Sequence, residues 1–150
     1  MMTVAIIKRR LREGKTYQDF RKAWYHTIGF GTSSKLYSVI SASDPRDIIV
    51  IGFVEMSQED ALSTARIDVK VRLANPLEEV IEPEIGRQFG IMVSEDDFSA
   101  AGAIDYQPAS IGGKETDLEE IFRNLTEYAR VVAQASKERE QAREARDSST

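Results

Sequence analysis

The chain is 150 residues long, has no cysteine and carries a formal net charge of −5 at pH 7. That length suits one domain, with or without an appendage, and is enough to bury a core without covalent staples. The absence of cysteine excludes disulfides, thiolate metal sites and a cysteine nucleophile, and an acidic chain lacks the electrostatic footprint of a nucleic-acid binder. With 41% hydrophobic and 30% charged residues the composition is that of an ordinary soluble globular protein. No apolar run approaches the ~20 residues of a membrane helix. The opening MMTVAIIKRR sets its charges after its apolar residues, the reverse of a secretory leader. The expected location is the cytoplasm, with no membrane and no nucleic-acid partner.

Residues 3–11 read as the first strand. Val4, Ala5, Ile6 and Ile7 are apolar toward both faces, which suits a central place in a sheet. Lys8, Arg9, Arg10 and Arg12 follow as a basic run, either a solvated strand end or an anion site beside the next helix. After a turn at Glu13, Gly14 and Lys15, residues 16–28 read as a helix: Tyr17, Phe20, Trp24 and Ile28 recur at helical spacing. Thr16 with Asp19 forms a capping box, and Gly29 and Gly31 give the stop signal. This stretch holds the only Trp and the only His, with His26 in the last helical turn. The loop 29–34 is rich in glycine and small hydroxyl residues but lacks phosphate-binding spacing, so it reads as a lid or a plain connection.

Residues 35–43 and 48–56 read as two strands joined by the turn Asp44-Pro45-Arg46-Asp47, hence as an antiparallel hairpin. Gly52, in mid-strand, marks a bulge or a place where something packs close to the backbone. Ser57 with Asp60 opens a second helix, striped by Leu62, Ala65, Val69 and Leu73. Asn75 and Pro76 end it and restart a helical piece carrying Leu77, Val80 and Ile81, stopped by Pro83. Residues 87–94 read as a fourth strand with Phe89, Ile91 and Val93 on one face. Residues 95–115 are irregular and open on Glu95, Asp96 and Asp97, an acidic loop without regular metal-ligand spacing. Thr116 with Glu119 opens a last helix, striped by Leu118, Ile121, Phe122, Leu125, Tyr128, Val132 and Ala135. Past Ser136 the large apolar residues stop, and the tail is expected to be solvated or frayed. The expected division is a core of residues 1–99, a connector of 100–115 and an amphipathic helix with a charged tail in 116–150.

The order β-α-β-β-α-β specifies a ferredoxin-like α+β fold: a four-stranded antiparallel sheet with two helices on one face. Strands apolar on both sides leave the other face in need of cover. The simplest cover is a second copy related by a two-fold axis, so a homodimer is expected. The C-terminal helix is expected to add to that dimer interface, the alternative being that it covers the open face in a monomer.

The stretch YQDFRKAWYHTIGFG after a first strand, with Phe20, Trp24 and the nearby His26, resembles the dimeric α/β-barrel superfamily, which includes EthD-like proteins, haem-degrading enzymes and antibiotic-biosynthesis-type, cofactor-independent monooxygenases. The resemblance spans the core to about Ser99. It implies a pocket between the helices and the sheet of each subunit, and a small apolar or aromatic metabolite bound or oxidised there with no cofactor and no metal. His26, the only histidine, is the candidate general base or axial haem ligand, or else a histidine stabilised by a helix C-terminus. Phe20 and Trp24 are candidates to hold a flat substrate or to fill the core, and Tyr25 and Tyr37 to donate a hydrogen bond to it or to pack. The alternative function is a non-catalytic dimeric module that uses its last helix to bind a partner.

Overall fold

A computed structural model of the chain describes residues 1–74, 76–83 and 86–149. The elements are β1 (Met2–Arg10), α1 (Tyr17–Trp24), β2 (Ser34–Ile40), β3 (Asp47–Glu55), α2 (Gln58–Ala74), β4 (Gly86–Ile91), β5 (Ser110–Ile111), β6 (Lys114–Glu115) and α3 (Leu118–Ser148). The first four strands form one antiparallel sheet in the order β2-β3-β1-β4. The fold is therefore the expected ferredoxin-like α+β arrangement, with the apolar first strand at its centre.

Register decides what each face carries. β1 and β3 pair one-to-one from Met2–Glu55 to Arg10–Asp47, so Gly52 sits opposite Ala5 in an unbroken ladder and marks no bulge. Directly opposed residues point to the same side of the sheet. The inner face thus presents Thr3, Ala5, Ile7 and Arg9 of β1 beside Ile48, Val50, Gly52 and Val54 of β3, with Leu36 of β2 and Arg87, Phe89 and Ile91 of β4. The outer face presents Val4, Ile6 and Lys8, then Ile49, Ile51 and Phe53, then Tyr37 and Val39.

Two clusters fix the helices to the inner face. Phe20 and Trp24 of α1 pack with Leu11, Ile48, Val50, Leu77, Val80 and Ile81, and Phe20 and Ile48 are fully buried. At the other end, Tyr128, Val131 and Val132 of α3 pack with Val54, Met56 and Ile91. The last helix therefore covers its own sheet, on the same side as α1, rather than standing apart as an appendage. α2 runs in contact with α3 and brings Thr64 and Val69 toward the same space.

Several boundaries move. Helix α1 ends at Trp24, with Tyr25 as an extended cap (φ −56°, ψ 126°). Thr27, Ile28 and Gly29 are weak helix formers, and the chain must turn there to reach β2. Ile28 is accordingly exposed and outside the apolar stripe, and His26 lies in the loop rather than in the helix. The capping box of Thr16 and Asp19 forms as expected. So does the Ser57–Asp60 pair at the start of α2. Asn75 and the side chains of Leu62, Ala65 and Leu73 lie outside the described residues. Residues 77–80 form a turn closed onto the Leu77 carbonyl rather than a helix, yet Leu77, Val80 and Ile81 are buried as the stripe requires. Helix α3 is capped by Asp117, whose Oδ1 accepts from the Glu120 N–H at 3.0 Å, while the Thr116 hydroxyl donates to the Val93 carbonyl. Nor does the tail fray. The helix continues to Ser148, with Arg146 paired to Glu78 at 3.2 Å and Arg66 to Glu138 at 3.1 Å. Between β4 and α3 the connector holds a small hairpin, β5–β6, turned by Gly112 and Gly113 in left-handed conformations.

Candidate functional site

Between the inner sheet face and the helices lies a cavity of about 650 Å³. Its floor is built from residues that fail to fill it: Ala5 and Gly52 face each other across β1 and β3 where larger side chains would reach the helices. A Cβ on Gly52 would come 3.6 Å from Leu36 Cγ, an ordinary contact, and Gly52 has no positive φ. What the glycine contributes at this position is room.

One wall comes from α1 and the loop after it. Phe20 and Trp24 fall on the sheet-facing side of the helix because they are four residues apart. The rings continue past the helix end. Phe20 meets Trp24 at 5.9 Å, Trp24 meets His26 at 5.8 Å edge-on, and His26 meets Phe30 at 5.2 Å between centroids. All four line the cavity, and His26 is half-buried. The loop that carries Phe30 is tied to β3: the Thr32 hydroxyl donates to the Glu55 carbonyl at 2.7 Å and the Glu55 N–H to the Ser33 carbonyl at 2.8 Å.

The opposite wall is α3. Tyr128, Val132 and Ala135 repeat at helical spacing and face the cavity. Burial pushes the Tyr128 hydroxyl above its ordinary pKa, and a side-chain hydrogen bond with Thr3 acts the other way. Beyond Ser136 the same stripe turns cationic, with Arg139, Arg143 and Arg146 also lining the space.

Of the residues singled out from the sequence, His26, Phe20 and Trp24 meet at the cavity. Tyr25 and Tyr37 do not. Tyr25 is exposed at the cap of α1, under the Arg21 guanidinium at 5.0 Å. Tyr37 lies on the outer sheet face against Phe53, at 5.9 Å between centroids. A parity count along β2 separates Tyr37 from Leu36, but only the pairing with β3 shows which of the two faces inward. Asp44 and Arg46 serve the hairpin turn. The Arg46 backbone N–H and the Arg10 guanidinium hold the Asp44 carboxyl below the usual carboxylate range, and Arg46 Nη2 reaches the Leu11 carbonyl at 2.9 Å. In the acidic loop, Asp96 and Asp97 accept from the Ser94 and Ser99 side chains, and no cluster of metal-ligating groups occurs among the described residues. Missed from the sequence were Tyr128, Arg87 and the α3 arginines. Their signal was present, since Tyr128 and Arg139 belong to one helical stripe, but no local pattern shows where a terminal helix docks.

No family model matches the chain, and no curated protein does. Among solved structures it is similar to a chain described as "putative Antibiotic biosynthesis monooxygenase" from Chloroflexus aurantiacus J-10-fl, with a TM-score of 0.50 and 12% identity over 66% of this chain and 100% of that one. At that identity the likeness shows the fold. No described helix is long and apolar enough to cross a membrane.

Proposed function

We propose that this protein binds a small, largely apolar or aromatic metabolite in the cavity between the sheet and helices α1 and α3. The observation that carries the reading is a space of about 650 Å³, floored by Ala5 and Gly52 and reached by His26. A folded core of this size normally closes such a gap, whereas ligand pockets combine apolar walls with a few polar groups in this way. If the bound molecule is turned over, His26 is the group placed to take up its proton, and the oxidation of a quinol to the quinone by dioxygen, which takes the two electrons and leaves as hydrogen peroxide, is the chemistry to test first. The fold shared with a monooxygenase-described chain is compatible with this.

The ligand reading is joined to a second copy of the chain. The outer face carries a bulky apolar centre of Val4, Ile6, Ile49, Ile51 and Phe53. At its rim stand Lys8, Arg10 and Lys35 together with Asp47 and Glu55. An apolar centre with a rim of both charge signs suits a two-fold, self-complementary contact.

The decisive experiment is Gly52→Val. Valine suits a strand, and its methyl groups would occupy the floor of the cavity. The expected result is a folded protein that loses the thermal shifts which phenols and quinols give with the wild type. Unchanged shifts would rule out the cavity as the binding site. Sedimentation of the wild type at micromolar concentration should give twice the chain mass, and a single-chain species would remove the dimer. A second reading, an assembly module, is favoured by Leu118 and Phe122, which stay exposed on the first turns of α3. It predicts a species larger than a dimer that Phe122→Glu reduces to a dimer.

A further inference from the structure

The cavity has two chemically different sides. Over β2 and β3, against α1, it is aromatic and aliphatic, through Phe20, Trp24, Leu36 and Val50. Over β1 and β4, against the second half of α3, it is cationic. Among the described lining residues, Arg9, Arg12, Arg87, Arg139, Arg143 and Arg146 stand against Glu78, Glu82 and Glu140. Among the described lining residues the arginines outnumber the carboxylates, in a chain whose net charge is −5.

Two of those three glutamates are already engaged. Glu78 is paired with Arg146 at 3.2 Å, and Glu82 with Arg46 at 3.2 Å and Arg10 at 3.6 Å. Arg12 is anchored on the Glu78 carbonyl at 2.6 Å. The remaining arginines come from three elements. Arg87 of β4 pairs in register with Ile7, two residues before Arg9 on the same face of β1. Arg139 and Arg143 are one turn apart on α3. The pleat therefore divides the basic run of β1: Arg9 enters the cavity, while Lys8 and Arg10 take the outer face. A guanidinium has five N–H donors, so each of these side chains can keep a contact within the protein and still hold an anion. Arginine forks match carboxylate and phosphate oxygens in pairs.

We infer that the ligand is an amphipathic organic anion, its apolar body against Phe20 and Trp24 and its carboxylate or phosphate end held by Arg9, Arg87, Arg139 and Arg143. This rests on the cavity being the binding site and adds the class of molecule it takes. It also gives the long helix a purpose beyond cover, since α3 supplies two of the four anion-binding side chains.

Trp24 is the only tryptophan, so its fluorescence reports the cavity directly. The probes are naphthalene-2-carboxylate, the neutral naphthalene-2-carboxamide and naphthyl phosphate, titrated into the full-length protein. The carboxylate, the phosphate or both should bind at least tenfold more tightly than the amide, and which of them does so identifies the anion. Arg87→Gln and Arg143→Gln should each weaken the preferred anion about tenfold and leave the amide unchanged. Arg123→Gln, outside the cavity lining, should change neither, and circular dichroism verifies that each variant is folded. Equal binding of anions and amide, abolished for all by Gly52→Val, would overturn this inference while leaving the cavity as a neutral-ligand site. Binding of the probes that Gly52→Val does not weaken, or no binding at all, would overturn both.

Discussion

The two faces of the one sheet are built on opposite plans. The inner face is covered by helices, yet its centre holds the small residues Ala5 and Gly52 and its edge holds Arg9 and Arg87. The outer face has no helix over it among the described elements, yet its centre is bulky and apolar, with Ile6, Ile49, Ile51 and Phe53. Burial alone would put large apolar side chains at positions 5 and 52 as well, as it does at the neighbouring Ile48 and Val50. The proposed function accounts for the difference: on that reading the inner face leaves space for a ligand and the outer face meets a second copy of the chain.

The comparison can be broken by truncation on the covered side. Phe20 is 1% exposed in the cluster that joins α1 to β3. Phe20→Ala should cost about 3–5 kcal/mol of unfolding free energy, the range for a large buried aromatic, measured by urea denaturation. A cost below about 1 kcal/mol would mean that the α1 end of the inner face is not a packed core. The outer face should answer in assembly instead of in fold. Ile51→Asp places a charge at the centre of the proposed two-fold contact, and the variant should sediment as a folded single chain with an unchanged circular dichroism spectrum. A variant that still sediments at twice the chain mass would place the contact elsewhere.

The smallest effect sharpens the comparison at the sheet's end, where the turn Asp44-Pro45-Arg46-Asp47 is tied to β1. The Asp44 carboxyl titrates below its ordinary value near 3.8, first through the Arg46 backbone N–H and then through the Arg10 guanidinium. A lowered carboxylate pKa adds stability above the unfolded value and loses it as pH falls through the folded one. Asp44→Asn should therefore be slightly less stable than wild type at pH 7, with the gap closing below about pH 3.8. Its urea midpoint at pH 7 and pH 3 checks this. Because the side chain is 38% exposed, solvent keeps the effect small.

Much of the core was legible in local pattern. The double-sided apolarity of Val4, Ala5, Ile6 and Ile7 placed β1 at the centre, and the capping boxes at Thr16 and Ser57 placed two helix starts within a residue. The lining of the candidate cavity was legible in part. Phe20 and Trp24 follow from a 3.6-residue period, which is a property of the helix itself, and His26 follows from its nearness to them. Tyr37 was misplaced because alternation separates two faces without saying which one the helices will cover. Tyr25 was misplaced because α1 stops at Trp24, where the chain turns toward β2.

Sequence alone determined the order of elements along the chain, the greasy strands and the aromatic stripe, because each is encoded by periods of two or 3.6 residues between near neighbours. Tertiary structure decided where the last helix lies, which arginines of an unremarkable basic run and a charged tail enter the interior, and that Gly52 opens a cavity. Those outcomes depend on contacts between segments far apart in the chain, Tyr128 against Met56 and Arg146 against Glu78, which no local period records.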